Sequence, residues 1–201
     1  MPVQAWKPVP QQVVDRIVVR IEDDVITLSE VRELGRFQQL VEGRAASEEE
    51  LTRQLIEQWI VTAEAHAARF AAPSEAEVTR EVEKLARQFA SPEFFLERLR
   101  ALELTPGAVR RLVERQLYLL RYLDYKFRPA IQVEEAQVAR YYGEELAPRL
   151  QARGEAVPPL ERVAEQIREL LLQREVSARA GRWLEETRGR VRVELNPGEK
   201  R

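Results

Sequence analysis

Val13-Val14-Asp15-Arg16-Ile17-Val18-Val19-Arg20-Ile21-Glu22-Asp23-Asp24-Val25-Ile26-Thr27-Leu28-Ser29-Glu30 is the stretch that decides the fold of this 201-residue chain. Residues 13–21 are dense in Val and Ile, side chains that suit a pleated, half-buried surface. Asp23-Asp24 carries turn chemistry. A short second strand follows at 25–27, and Thr27 with Glu30 matches the capping box that opens a helix. From there the pattern is helical until residues 191–195, Val-Arg-Val-Glu-Leu, which alternate again. A strand that short needs partners, and the other strand signals lie at 13–27. The two ends are therefore expected to pair. The fold class is mostly α, with a small antiparallel sheet built from the N-terminal hairpin and the C-terminal strand.

Working outward, Val31, Leu34, Phe37 and Val41 recur at helical spacing to about Gly43. Ser47…Glu50 and Ser74…Glu77 are two further capping boxes, the first opening a long helix that stops before Pro73. Ser91-Pro92 and Thr105-Pro106 each read as an N-cap followed by proline at the first helical position. The helix after Thr105 runs to about Phe127, and Val133–Tyr142 forms a shorter one. Residues 1–12, with Pro2, Pro8 and Pro10, read as a flexible lead. Residues 143–159, with Gly143, Pro148, Gly154, Pro158 and Pro159, read as a linker. Leu160 to Arg188 is a long amphipathic helix, with Gly189 where a glycine at C′ would sit. That helix must bury its apolar stripe, so it is expected to join the N-terminal elements in one core while the middle helices project as an arm or cradle.

Composition excludes several classes of function. Thirty-two Lys and Arg nearly balance 34 Asp and Glu, for a net charge of −2, so no overall field pulls the chain toward nucleic acid or an acidic membrane. There is no cysteine, hence no disulfide, thiolate nucleophile or Cys-ligated metal. No apolar run approaches a membrane span, and no P-loop is present. His66 is the single histidine and sits among alanines, without the partners that a catalytic triad or a metal site requires. Glu48-Glu49-Glu50 and Glu185-Glu186 fall on first turns or polar faces, where carboxylates are solvated. Arg110, Arg111 and Arg115 are interleaved with Glu103, Glu114 and Asp124 and do not form a nucleic-acid footprint. Phe37, Trp59, Phe70, Phe89, Phe94 and Phe95 stand at core spacing. Tyr118, Tyr122, Tyr125, Tyr141 and Tyr142 combine apolar area with a hydrogen-bonding tip and are the candidate peptide-binding residues.

The segments VVDRIVVRIEDDVITLSEV, EEELTRQLIEQWIVTAEAHAARF, PSEAEVTREVEKLARQF, FLERLRALELTPGAVRRLVERQLYLLRYLDYKF and VEEAQVARYY stand in one order. As an ordered set they resemble the N-terminal region of SurA-type periplasmic chaperones, over roughly residues 13–142, and the C-terminal helix and strand fit the same pattern. The resemblance implies a core module made of residues 13–142 and 160–201. A parvulin prolyl-isomerase domain would be inserted at 143–159. This chain has one His, eight Gly and no Gly-Gly pair, so that domain and its catalytic residues are missing. What remains by resemblance is an ATP-independent holdase, not an enzyme, needing no cofactor. Its partners would be unfolded or partly folded envelope and outer-membrane proteins, with no nucleic acid and no membrane insertion, and a homodimer is allowed. The expected compartment is the periplasm, the sequence then being a mature or trimmed form. The rival reading is a helical adaptor that binds one specific envelope partner.

Overall fold

The computed structural model describes residues 15–196. The proposed lead at 1–12, the first two residues of the expected first strand and residues 197–201 lie outside that range. The acidic turn joins β1 (Ile17–Ile21) to β2 (Asp24–Thr27) in an antiparallel hairpin, with Glu22 at φ +47°. A bulge between Ile17 and Val19 breaks the strict alternation, so Val18 and Val19 are both buried. β3 (Val193–Leu195) joins the other side of β1, giving the order β2-β1-β3. The expected pairing of the chain's two ends is therefore observed. Glu22 locks it: its N–H donates to the Arg192 carbonyl at 3.0 Å, and its Oε1 accepts from the Arg192 N–H at 2.7 Å.

The helices begin where the caps dictate. α1 (Leu28–Glu42), α2 (Glu48–Ala67) and α3 (Glu75–Ala86) each open on a complete capping box, at Thr27, Ser47 and Ser74. α4 (Pro92–Ala101) and α5 (Pro106–Phe127) start at Ser91 and Thr105, whose hydroxyls accept the Phe94 and Ala108 amides. Some helix ends use the left-handed conformation in the turn that leads out of them. Gly43 closes α1 at φ +76°, and Arg69 follows α2 at φ +53° while Phe70 N–H reaches back to the Ala65 carbonyl at 2.9 Å. α6 (Glu135–Tyr141), α7 (Ala147–Ala152) and α8 (Leu160–Arg188) follow, and α8 leads to β3.

Four apolar clusters hold these elements. The first lies between the sheet and α1–α2, where Val19, Ile21, Val31, Ile56 and Ile60 are almost fully enclosed and Trp183 and Leu184 of α8 close the side. The second gathers α3, α4 and the first half of α5 on Phe37 and Leu40 of α1, with Leu99 and Val109 at its centre. The third packs Val61 and Ala65 against Tyr118 and Tyr122. The fourth is a separate lobe in which Val138 and Tyr141 meet Ile167. α8 spans 29 residues, about 43 Å, so its first half serves the lobe and its second half the main core. Arg128, just past the end of α5, pins the junction: it pairs with Asp124 of α5 and with Glu169 of α8 at 3.2 and 2.5 Å.

Two details differ from the sequence reading. Residues 143–152 are not linker: a widened π turn at Tyr142–Leu146 runs straight into α7, and only 153–159 is irregular. Pro148 lies in the first turn of α7, and the Ala147 N–H bonds back to the Tyr142 carbonyl, so the wide turn makes room for the ring that would break a regular helix. Tyr142 and Leu146 then pack on the lobe, which keeps the segment helical despite Gly143. Gly189 does follow α8, but at φ −65°, a right-handed ending that any residue adopts.

Candidate functional site

The five tyrosines do not form one surface. Tyr118 and Tyr122 are buried in the third cluster, and the Tyr118 hydroxyl donates to the Phe70 carbonyl at 3.2 Å. Burial pushes the Tyr118 phenol above its ordinary pKa, with a smaller push from Tyr122. Tyr141 is buried in the lobe beneath the Arg174 guanidinium, 4.9 Å from its ring centre. Half-buried Tyr142 donates to the Pro158 carbonyl at 2.8 Å. Only Tyr125 is open, 63% exposed, its ring 5.1 Å from that of Phe70. Tertiary packing therefore turns most of this set into core. The helical period carries them, but it does not say which neighbour covers each stripe.

The concave surface lies elsewhere, between α1, α2 and α5. Two openings of about 160 Å³ each lie side by side, with Gln58 and Arg115 in the walls of both, and together they make the candidate groove. Its floor is apolar, made by Leu34, Phe37, Leu55 and Leu112. Val41, 44% exposed, stands at one end and Trp59 at the other, where the indole N–H donates to Asp24 at 2.8 Å.

The rim carries four amides, Gln38, Gln54, Gln58 and Gln116, beside the charged Glu42 and Arg115. Gln38 is fixed, accepting the Ala46 N–H at 3.1 Å and donating to Gln54 Oε1 at 2.7 Å. Gln58 and Gln116 make no side-chain hydrogen bond among the described residues, and no ion pair there holds Arg115. Primary amides both donate and accept, so this rim can serve the backbone of an extended segment whatever its side chains are. Leu112, Arg115, Gln116 and Leu119 follow one another on a single face of α5, an apolar stripe interrupted by polar residues. That interruption is the sequence signal for an open groove rather than a closed core, and reading the stripe as core passes over it.

A larger cavity of about 570 Å³ continues past Gln38 and Gln54 to the α1–α2 turn, where Arg44, Arg53 and Glu50 line it. Glu50 is committed to its cap: the Ser47 N–H and hydroxyl hold its carboxyl below the usual range. His66 is exposed at the end of α2, with its ring 5.9 Å from that of Tyr118. Among the described residues no acidic, histidine or cysteine group is arranged to hold a metal ion, no polar residue is buried, and no helix is long and apolar enough to cross a membrane. No protein-family model matches the chain, and no curated protein matches it significantly.

Proposed function

We propose that the protein is an ATP-independent holdase that binds unfolded or partly folded polypeptide in the α1–α2–α5 groove. The observation that carries this reading is the pairing of an apolar floor with uncommitted amides on the rim. Such a surface gains affinity from apolar side chains and main-chain hydrogen bonds together, without demanding a particular sequence. The shallow, preformed shape suits weak contact with many segments, with dissociation constants on the order of micromolar. The resemblance to SurA-type chaperones supports clients from the cell envelope and a periplasmic site of action. No catalytic role is assigned to any residue.

Light scattering of a denatured outer-membrane protein, diluted with and without this chain, tests the reading. A several-fold molar excess should lower the scattering without nucleotide. Val41→Asp combined with Arg115→Glu, both at exposed positions, should abolish most of that protection while the circular dichroism spectrum stays unchanged. Unchanged protection by this variant removes the groove from the proposal. No protection by the wild type removes the holdase and favours the single-partner adaptor.

A further inference from the structure

Among the described residues the outer edge of β3 is open, and its charge pattern is complementary to itself. The Asn196 N–H donates to the Val18 carbonyl at 2.7 Å, and the Arg192 carbonyl accepts from Glu22. Alternation in an antiparallel ladder then turns the backbone groups of Val193 and Leu195 away from β1. Among the described residues no strand lies on that side. Leu195 is 62% exposed there. It lines a cavity of about 460 Å³ together with Val18, Ile56, Glu48 and Arg188.

On the solvent face of the same strands, charges alternate across the pair: Arg20 stands opposite Glu194, and Glu22 beside Arg192. We propose that a second copy of this chain pairs its own β3 antiparallel to this edge, on a two-fold axis through Val193, making one six-stranded sheet. In that register Val193 faces its twin and the two exchange hydrogen bonds through the outward amides and carbonyls. Arg192 falls opposite Glu194 of the other copy, and Glu194 opposite Arg192. Both are non-hydrogen-bonded positions, where side chains approach closest. The row across both copies then reads Arg20, Glu194, Arg192, Glu22, alternating in sign throughout, and its mate reads the same in reverse. On the inner face Leu195 is covered by Val191 of the second copy, with the cavity giving it room. The register is specific, because moving the two-fold axis by one residue, a slide of two between the strands, sets Glu194 against its twin. β2, the other edge, carries Asp24 as its one charged residue and has no such match.

Sedimentation velocity of the full chain across about 1 μM to 1 mM is the experiment. A monomer–dimer equilibrium is expected, with a dissociation constant on the order of 10–100 μM, and it should weaken with added salt because the pairs are exposed. Val193→Pro removes an amide that points away from β1, so it should keep the fold and abolish the dimer. Arg192→Glu alone and Glu194→Arg alone place like charges opposite each other, and each should raise the dissociation constant about tenfold or more. Mixed one to one, these two variants complement each other at both positions and should form a heterodimer. Far-ultraviolet circular dichroism confirms that each variant is folded. A wild type that stays monomeric to about 1 mM, a folded Val193→Pro chain that dimerises as well as wild type, or folded charge variants that fail to associate on mixing would each overturn the proposal.

Discussion

Truncation after Arg188 tests the closure of the two ends. It removes β3 and with it the ladder to β1: the Glu22–Arg192 and Asn196–Val18 backbone bonds, the Arg192 N–H bond to the Glu22 carboxylate, and the paired positions at Arg20 and Glu194. At roughly 1 kcal/mol net for each hydrogen bond, the ladder accounts for about 3–5 kcal/mol. Val191 and Val193 also leave the first cluster, where they are half-buried, and Val19 and Ile21 lose their cover at that edge. Half of a full Val burial is worth roughly 1 kcal/mol each, so the total loss is about 5–7 kcal/mol. Against a typical stability of about 5–15 kcal/mol, the shortened chain is marginal. For a chain of this size 1 kcal/mol moves the melting temperature by roughly 2–4 °C, so Tm should fall by about 10–28 °C. Thermal unfolding followed at 222 nm, with light scattering on a sizing column, measures both stability and aggregation from the bared edge. A truncated chain that melts within about 2 °C of the full one and elutes monodisperse refutes the argument.

Three further outcomes are expected. Thr105→Ala removes the hydroxyl that accepts the Ala108 amide at 3.1 Å, and chemical denaturation should show a loss of about 1 kcal/mol. Arg69→Gly relieves a left-handed residue at φ +53°; the relief of about 1–2 kcal/mol exceeds the roughly 0.5–1 kcal/mol entropic cost of glycine, so the variant should gain about 0.5–1 kcal/mol. Acid should destabilise the fold. The carboxyls of Glu50 and Glu77 are held below their ordinary value of 4.5 chiefly by the Ser47 and Ser74 amides, and Glu169 by the Arg128 guanidinium. Their folded pKa values lie below the unfolded ones, so their stabilisation is present above pH 4.5 and is lost as pH falls through the folded values. Melting temperature should be flat between pH 6 and 7 and decline below about pH 4.5.

The sequence by itself determined where elements begin. Thr27, Ser47, Ser74, Ser91 and Thr105 all cap as read, because a cap is a bond between residues three apart and needs no partner from elsewhere. It also determined the small sheet, since the Val- and Ile-rich run at Ile17–Ile21 and the alternation at Val193–Leu195 had only one other strand signal to meet. Tertiary structure decided everything that depends on which face meets which. Phe70, carried past the end of α2 by the left-handed turn at Arg69, receives the Tyr118 hydroxyl on its carbonyl and meets Tyr122 edge-on, so residues with the chemistry of a peptide site became core. Leu146 and Tyr142 found Ile167 on α8, and contact with that distant helix kept a Gly- and Pro-bearing segment helical. Gln58 and Arg115 lie 57 positions apart in sequence and line one groove only because α2 and α5 pack side by side. Caps and alternation are short-range and act on the chain as written. Burial and concavity are properties of pairs of distant surfaces, and they exist only once the chain has folded.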